Sequence, residues 1–167
     1  MIDLGTPTGI WNGSAWYEEA PRDKGHACGE CGRLLKIYQR RLSSSMSRGL
    51  IRLYLLGVKY PDRAAFHVKH FDKEGARGEF GVLSCWGLVT EQPNSNPEKK
   101  TSGMWTLTEF GKSFIELREQ VPLYALLKWG SEFLGYAGPM VNLKACLEHG
   151  NHFKYDDLMQ WNPEEVL

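Results

Sequence analysis

The sequence predicts an α+β fold, and three observations predict it. Residues 80–117 read as a short helix, a strand, a polar turn-rich loop, a second strand and another helix. Upstream, Met46, Leu50, Leu53 and Gly57 recur at helical spacing behind a run of serines. Further upstream, Cys28-Gly-Glu-Cys31-Gly forms a two-cysteine knuckle followed by the alternating stretch Leu35 to Tyr38.

The elements follow in chain order. Residues 1–26 carry Gly, Pro, Trp and acids without periodicity and read as an extended arm, with Trp11, Trp16 and Tyr17 supplying rings to pin it. Leu35 and Ile37 alternate with Lys36 and Tyr38, so a short strand leaves the knuckle. Ser43, Ser44 and Ser45 are N-cap residues for a helix over 45–57, whose stripe Ile51 and Tyr54 widen. Pro61-Asp62 punctuates, and Asp62 caps a second short helix over 63–71. A third helix over 76–86 turns Phe80, Leu83 and Trp86 inward and stops at Gly87. Residues 88–91 and 104–107 are strands around a loop over 92–103 that is rich in Pro, Asn and Gly. Thr108 caps a helix with Phe110, Phe114 and Leu117 on one face, and Pro122 closes that region. Tyr124 to Trp129 and Phe133 to Tyr136 flank Gly130-Ser131 as a hairpin. Asn142 caps a last helix over 143–149, before an acidic tail. Met46, Leu50, Leu53, Phe80, Leu83, Trp86, Leu107, Phe110 and Phe114 read as core.

That order predicts a winged helix-turn-helix core with an N-terminal zinc-knuckle-like element and a C-terminal β-hairpin and helix extension. The expected divisions are 1–26 for the arm, 27–120 for knuckle and winged helix, and 121–167 for the extension.

The 167 residues suffice for a compact domain with a real core. The formal net charge is zero, so no global field steers a partner. The charge is nonetheless uneven. Ten Lys or Arg fall between Arg22 and Arg63 against Asp23, Glu30 and Asp62, while the stretch from Glu148 onward is acidic except for Lys154. Four cysteines, only two of them close in sequence, are too few for a secreted disulfide scaffold. The first residues lack the basic start and apolar core of a signal peptide, and no apolar run is long enough to span a bilayer. The expectation is a cytoplasmic protein in a reducing compartment of a bacterial host, away from membranes.

Zinc in a closed structural site takes four ligands. Cys28 and Cys31 supply two, and His67 and His70, three apart on an expected helix, complete a set. Cys146, His149 and His152 form an alternative group, and His26 is also near the knuckle in sequence. Phosphate contacts are expected from Lys73 and Arg77 at the entry to the third helix and from Lys99 and Lys100 at the wing tip. Arg40, Arg41, Arg48 and Arg52 add a basic strip. The body of the third helix is apolar, a poor surface for reading bases. No nucleophile elbow, phosphate loop or paired metal-binding carboxylates appear, and Cys85 lies in apolar surroundings, so the chain reads as a binding module and not an enzyme.

Several stretches carry a resemblance: Cys28-x-x-Cys31-Gly with Leu35-Lys36-x-Tyr38-x-Arg40-x-Leu42, then Met46-x-Arg48-x-Leu50-Ile51, Leu83-x-x-Trp86-Gly87-Leu88-Val89, Gly103-x-Trp105-x-Leu107-Thr108-x-x-Gly111-x-x-Phe114 and Phe153-x-Tyr155-x-x-Leu158. Over about residues 27–159 the chain resembles a group of uncharacterised phage and prophage proteins with an N-terminal CxxC knuckle and a winged-helix core. Its Trp-Gly-Leu and Trp-x-Leu-Thr parts are also similar to winged-helix regulators of the MarR-like and PadR-like kinds. The resemblance implies binding of double-stranded DNA by analogy of fold. The alternative partner is a protein, as for a phage inhibitor of a host enzyme or defence complex. The apolar third helix, the aromatic arm and the acidic tail favour that alternative.

Overall fold

The computed structural model describes residues 15–17, 26–27, 30–32, 34–72, 79–128, 132–150 and 153–163. The fold is α+β. In chain order the elements are β1 (Ala15–Tyr17), β2 (His26–Ala27), β3 (Leu34–Leu35), β4 (Ile37–Arg41), α1 (Ser44–Lys59), β5 (Phe66–His67), β6 (Val89–Glu91), β7 (Met104–Leu107), α2 (Glu109–Ile115), β8 (Val121–Lys128), β9 (Glu132–Val141), α3 (Leu143–Glu148) and α4 (Tyr155–Met159), with 3-10 turns over Val68–His70 and Phe80–Trp86. The chain divides into two compact units, residues 1–42 with 122–141, and residues 43–121 with 142–167.

The first unit is built on a four-stranded sheet in the order β1-β9-β8-β4. β8 and β9 are the expected hairpin, longer at both ends than the turn signal indicates. β4 runs antiparallel to β8, with Gln39 opposite Leu126 and Arg41 opposite Tyr124. β1 lies parallel to β9, so the expected N-terminal arm contributes a strand at residues 15–17. Leu42, Ala125, Leu126 and Ala137 are buried here. β2 and β3 make a separate two-stranded antiparallel ladder, with His26 opposite Leu35 and Ala27 opposite Leu34. Cys28 itself lies outside the described residues, as do residues 1–14.

The second unit is organised by α1. The Ser43 side chain accepts the Met46 N–H at 3.3 Å, which satisfies one of the donors that a helix start leaves open. Met46, Leu50, Leu53 and Leu56 then fall on one buried face. The expected helix over 63–71 is instead β5 followed by a 3-10 turn. Phe66 pairs with Trp105 and His67 with Met104, and this pairing outweighs a local pattern that has no 3.6-residue stripe. Asp62 accordingly caps no helix.

The expected helix over 76–86 is described from Phe80, where it is a 3-10 segment, and 73–78 lie outside the described residues. Phe80, Leu83 and Trp86 are buried as expected. Gly87 ends the segment in the left-handed region at φ 67°, its N–H bonded back to Leu83 and Ser84. β5, β7 and β6 then form an antiparallel sheet in that order, with Trp105 on the central strand. Its ring meets Phe80 edge-on at 5.6 Å, and Phe80 meets Phe71 at 4.8 Å.

Thr108 caps α2 as expected. Its hydroxyl accepts the Gly111 N–H at 2.9 Å and donates to the Gly87 carbonyl at 2.6 Å, tying the helix start to the end of the 3-10 segment. α2 ends at Ile115, well before Pro122, which lies within β8. Leu117 has left the helix at φ 63°, and Phe110 and Leu107 are half-buried, so the inner face of α2 rests on Phe114 and Ile115. Asn142 caps α3 through the Ala145 N–H at 3.0 Å. α4 interrupts the acidic tail. Its Tyr155 hydroxyl donates to the Ile115 carbonyl at 3.0 Å, and Lys144 lies 5.3 Å over the Tyr155 ring. No helix among the described residues is long and apolar enough to cross a membrane.

Candidate functional site

The loop between β6 and β7 is ordered by its own side chains. Asn94 donates to the carbonyls of Lys99 at 2.5 Å and Thr101 at 3.3 Å, and accepts the Asn96 N–H at 3.1 Å. Asn96 accepts the Glu98 N–H at 2.9 Å. These are Asx turns, in which a short side chain replaces a backbone partner. The loop base is closed by Gln92 N–H to the Met104 carbonyl at 2.8 Å and by Gly103 N–H to the Glu91 carboxylate at 3.0 Å. The result places Lys99 and Lys100 exposed on a held loop. The sequence reading named the lysines but not Asn94 and Asn96, whose side chains shape the loop that carries them. The signal was the Asn-x-Asn-Pro spacing at 94–97.

The remaining predicted cations fall in both units. Lys73 and Arg77 lie outside the described residues. Arg40 is exposed on β4, whereas Arg41 is half-buried, its guanidinium donating to the Tyr124 hydroxyl at 3.3 Å and standing 5.8 Å over that ring. Arg48 is only 9% exposed and stacks 5.0 Å over Phe153. Arg52 lies 5.4 Å over Trp161 and donates to the Phe71 carbonyl at 3.4 Å. Of the basic strip read from the sequence, Arg48 is thus part of the packing of the second unit. Burial pushes the Asp72 carboxyl above its ordinary range, while the charges of Arg48 and Arg52 pull it the other way.

Of the expected metal ligands, the structure brings His67 and His70 together, with ring centroids 6.4 Å apart. They stand at the 3-10 turn after β5, not on a helix. His67 Nδ1 accepts the Lys69 N–H at 3.2 Å, leaving Nε2, and a Cβ on Gly103 would stand 3.0 Å from that atom. Cys31 is exposed in the first unit, and Cys28 is outside the described residues. In the alternative group Cys146 is buried and His149 exposed, with His152 outside the described residues. Among the described residues no three His, Cys, Asp or Glu side chains gather as a metal site would require. Burial pushes the Cys85 thiol up, a backbone hydrogen bond opposing it, so this cysteine stays in its unreactive thiol form near neutrality.

His67 gives the loop base a pH dependence. Its pKa lies below the ordinary value of 6.5, first through burial and then through the charges of Lys69, His70 and Lys99. The folded chain thus favours neutral His67, the form that can accept the Lys69 N–H. A lowered folded pKa contributes stability that is complete above the unfolded value and is lost as pH falls through the folded one. Denaturation midpoints between pH 8 and pH 5 should therefore fall below about pH 6.5 in the parent chain. The fall should be smaller in His67→Asn, and equal falls in the two proteins would remove His67 as the cause.

No protein-family model, curated protein or solved structure matches the chain.

Proposed function

We propose that the second unit is a winged-helix module that binds double-stranded nucleic acid through the loop over 92–103. The observation that carries the reading is the pair Lys99 and Lys100, exposed on a loop held rigid by Asn94 and Asn96 between two strands of the β5-β7-β6 sheet. The order α1, β5, 3-10 segments, β6, loop and β7 keeps the strand-loop-strand part of the winged-helix reading, with a short strand and 3-10 segments where helices over 63–71 and 76–86 were expected. The similarity of its Trp-Gly-Leu and Trp-x-Leu-Thr stretches to winged-helix regulators implies a DNA partner by analogy of fold. Because the 3-10 segment turns Phe80, Leu83 and Trp86 inward, base reading is not assigned to those residues. Lysine contacts to phosphate give affinity that depends on salt and not on sequence.

The test is binding to a labelled random-sequence duplex across a salt series. Binding should weaken steeply with salt. Lys99→Ala with Lys100→Ala should weaken it and reduce the slope of log K against log salt by about two, one per phosphate contact removed. An unchanged slope in the double variant, or no binding at low salt, would sink the reading and turn attention to a protein partner.

A further inference from the structure

On the second unit a groove of 440 Å³ opens between the C-terminal half of α1, residues 61–66, β7 and α2. Leu53, Phe66 and Trp105 line it and are 2%, 4% and 8% exposed. Val58 stands on its lip and is 62% exposed. Concavity, an apolar and aromatic lining and a few polar groups are the ordinary features of a small-molecule site.

Gly57 is a second, independent observation. It lies inside α1 and lines the groove, yet a Cβ at this position would meet nothing within 4 Å. Its φ is not positive either. Neither packing nor backbone conformation calls for glycine, which weakens a helix relative to alanine. What the missing side chain does is leave the groove open.

The charges select the ligand. Arg63 and Lys112 line the groove against one carboxylate, Glu116. Glu116 already accepts from the Tyr54 hydroxyl at 3.0 Å and from Arg118, and the Thr106 hydroxyl is committed to the Ala64 carbonyl at 2.6 Å. The cations are held more loosely. Lys112 pairs with Glu109, whose side chain is 88% exposed, and a pair so open to water is readily exchanged. The Arg63 guanidinium lies 5.5 Å over the Tyr60 ring, and a stacked guanidinium keeps its N–H edge for an anion. The lining thus has an excess of positive charge beside an apolar floor.

We propose that this groove binds a small apolar monocarboxylic acid, its ring or branched chain against the accessible side chains of Val58, Tyr54 and Leu107 over the covered Leu53, Phe66 and Trp105, and its carboxylate toward Arg63 and Lys112. The site stands apart from the nucleic-acid reading and does not depend on it.

Indole-3-acetate is the probe, and indole-3-ethanol, with the same ring and no charge, is the control. Backbone amide shifts of the full-length chain report binding. The acid should move the Gly57, Val58 and Thr106 amides saturably and bind about tenfold more tightly than the alcohol, the effect of a charge-assisted hydrogen bond. Gly57→Leu should abolish this binding. Leucine is a better helix former than glycine and occupies open space, so the variant should remain folded, as its spectrum away from the groove would show. Arg63→Gln with Lys112→Gln should bring the acid down to the level of the alcohol and leave the alcohol unchanged. The absence of saturable shifts, equal binding of acid and alcohol, or parental binding by Gly57→Leu would each overturn the proposal.

Discussion

Gly111→Ala is expected to destabilise the second unit by about 3 kcal/mol or more, against the sign that helix propensity alone would give. Exchanging glycine for alanine inside a helix ordinarily gains up to about 1 kcal/mol. At Gly111 an added Cβ would stand 2.1 Å from the Leu88 carbonyl oxygen and 3.1 Å from Leu107 Cδ1. The first contact is with backbone, so no rotamer change relieves it. Leu88 is fully buried, and its carbonyl already receives the Thr108 N–H at 3.1 Å. α2 would have to lift away, and with it the hydroxyl contact between Thr108 and Gly87. Urea denaturation measures the effect: a lower midpoint at unchanged slope supports it, because the slope reports the surface exposed on unfolding. A midpoint within experimental error of the parent would show that the helix shifts without cost. Gly57→Ala is the natural control, since nothing lies within 4 Å of its added atom.

The second large effect is Trp86→Ala, expected to cost about 3–5 kcal/mol. Trp86 is 0% exposed, at the end of the 3-10 segment and next to the left-handed Gly87. Removing the ring leaves a void between elements that cannot close independently, because Thr108 fixes the position of the chain at Gly87. In a duplex-reading helix such a residue could face the ligand. Under the proposed function, loss of duplex binding in Trp86→Ala should follow loss of folding, with both falling at the same denaturant concentration. Binding lost while the denaturation midpoint stays at the parental value would mean that the ring faces a partner.

Much of the fold was legible because local signals and tertiary packing agree. Ser43, Thr108 and Asn142 each cap the helix they announce, and Gly87 stops its segment in the conformation that only glycine adopts cheaply. Elements whose identity comes from elsewhere in the chain were not legible. β5 is two residues long and exists through Trp105 and Met104, nearly forty positions away. α4 has no apolar stripe and is held through Tyr155, which reaches the end of α2. Among the proposed contacts, charge alone named Lys99 and Lys100, which are exposed, and equally Arg48, whose guanidinium is covered by Phe153. Gly57 sits in register with Met46, Leu50 and Leu53 and so reads as part of their packed stripe. Only the three-dimensional arrangement shows the space beside it.

The stacking of Arg48 on Phe153 and Arg52 on Trp161 has a consequence for how ionic strength acts on this chain. Each cation lies over a ring, the charges of both also act on the half-buried Asp72 carboxyl, and Lys59 donates to the Asn162 side-chain oxygen at 3.1 Å. Mobile ions screen exposed charges far more than contacts between a covered cation and a ring. The attachment of residues 153–163 to α1 should therefore persist at salt concentrations that screen the exposed ion pairs of the surface. A salt series on this protein then separates two populations of positive charge, those that anchor the polypeptide to itself and those left to meet something else.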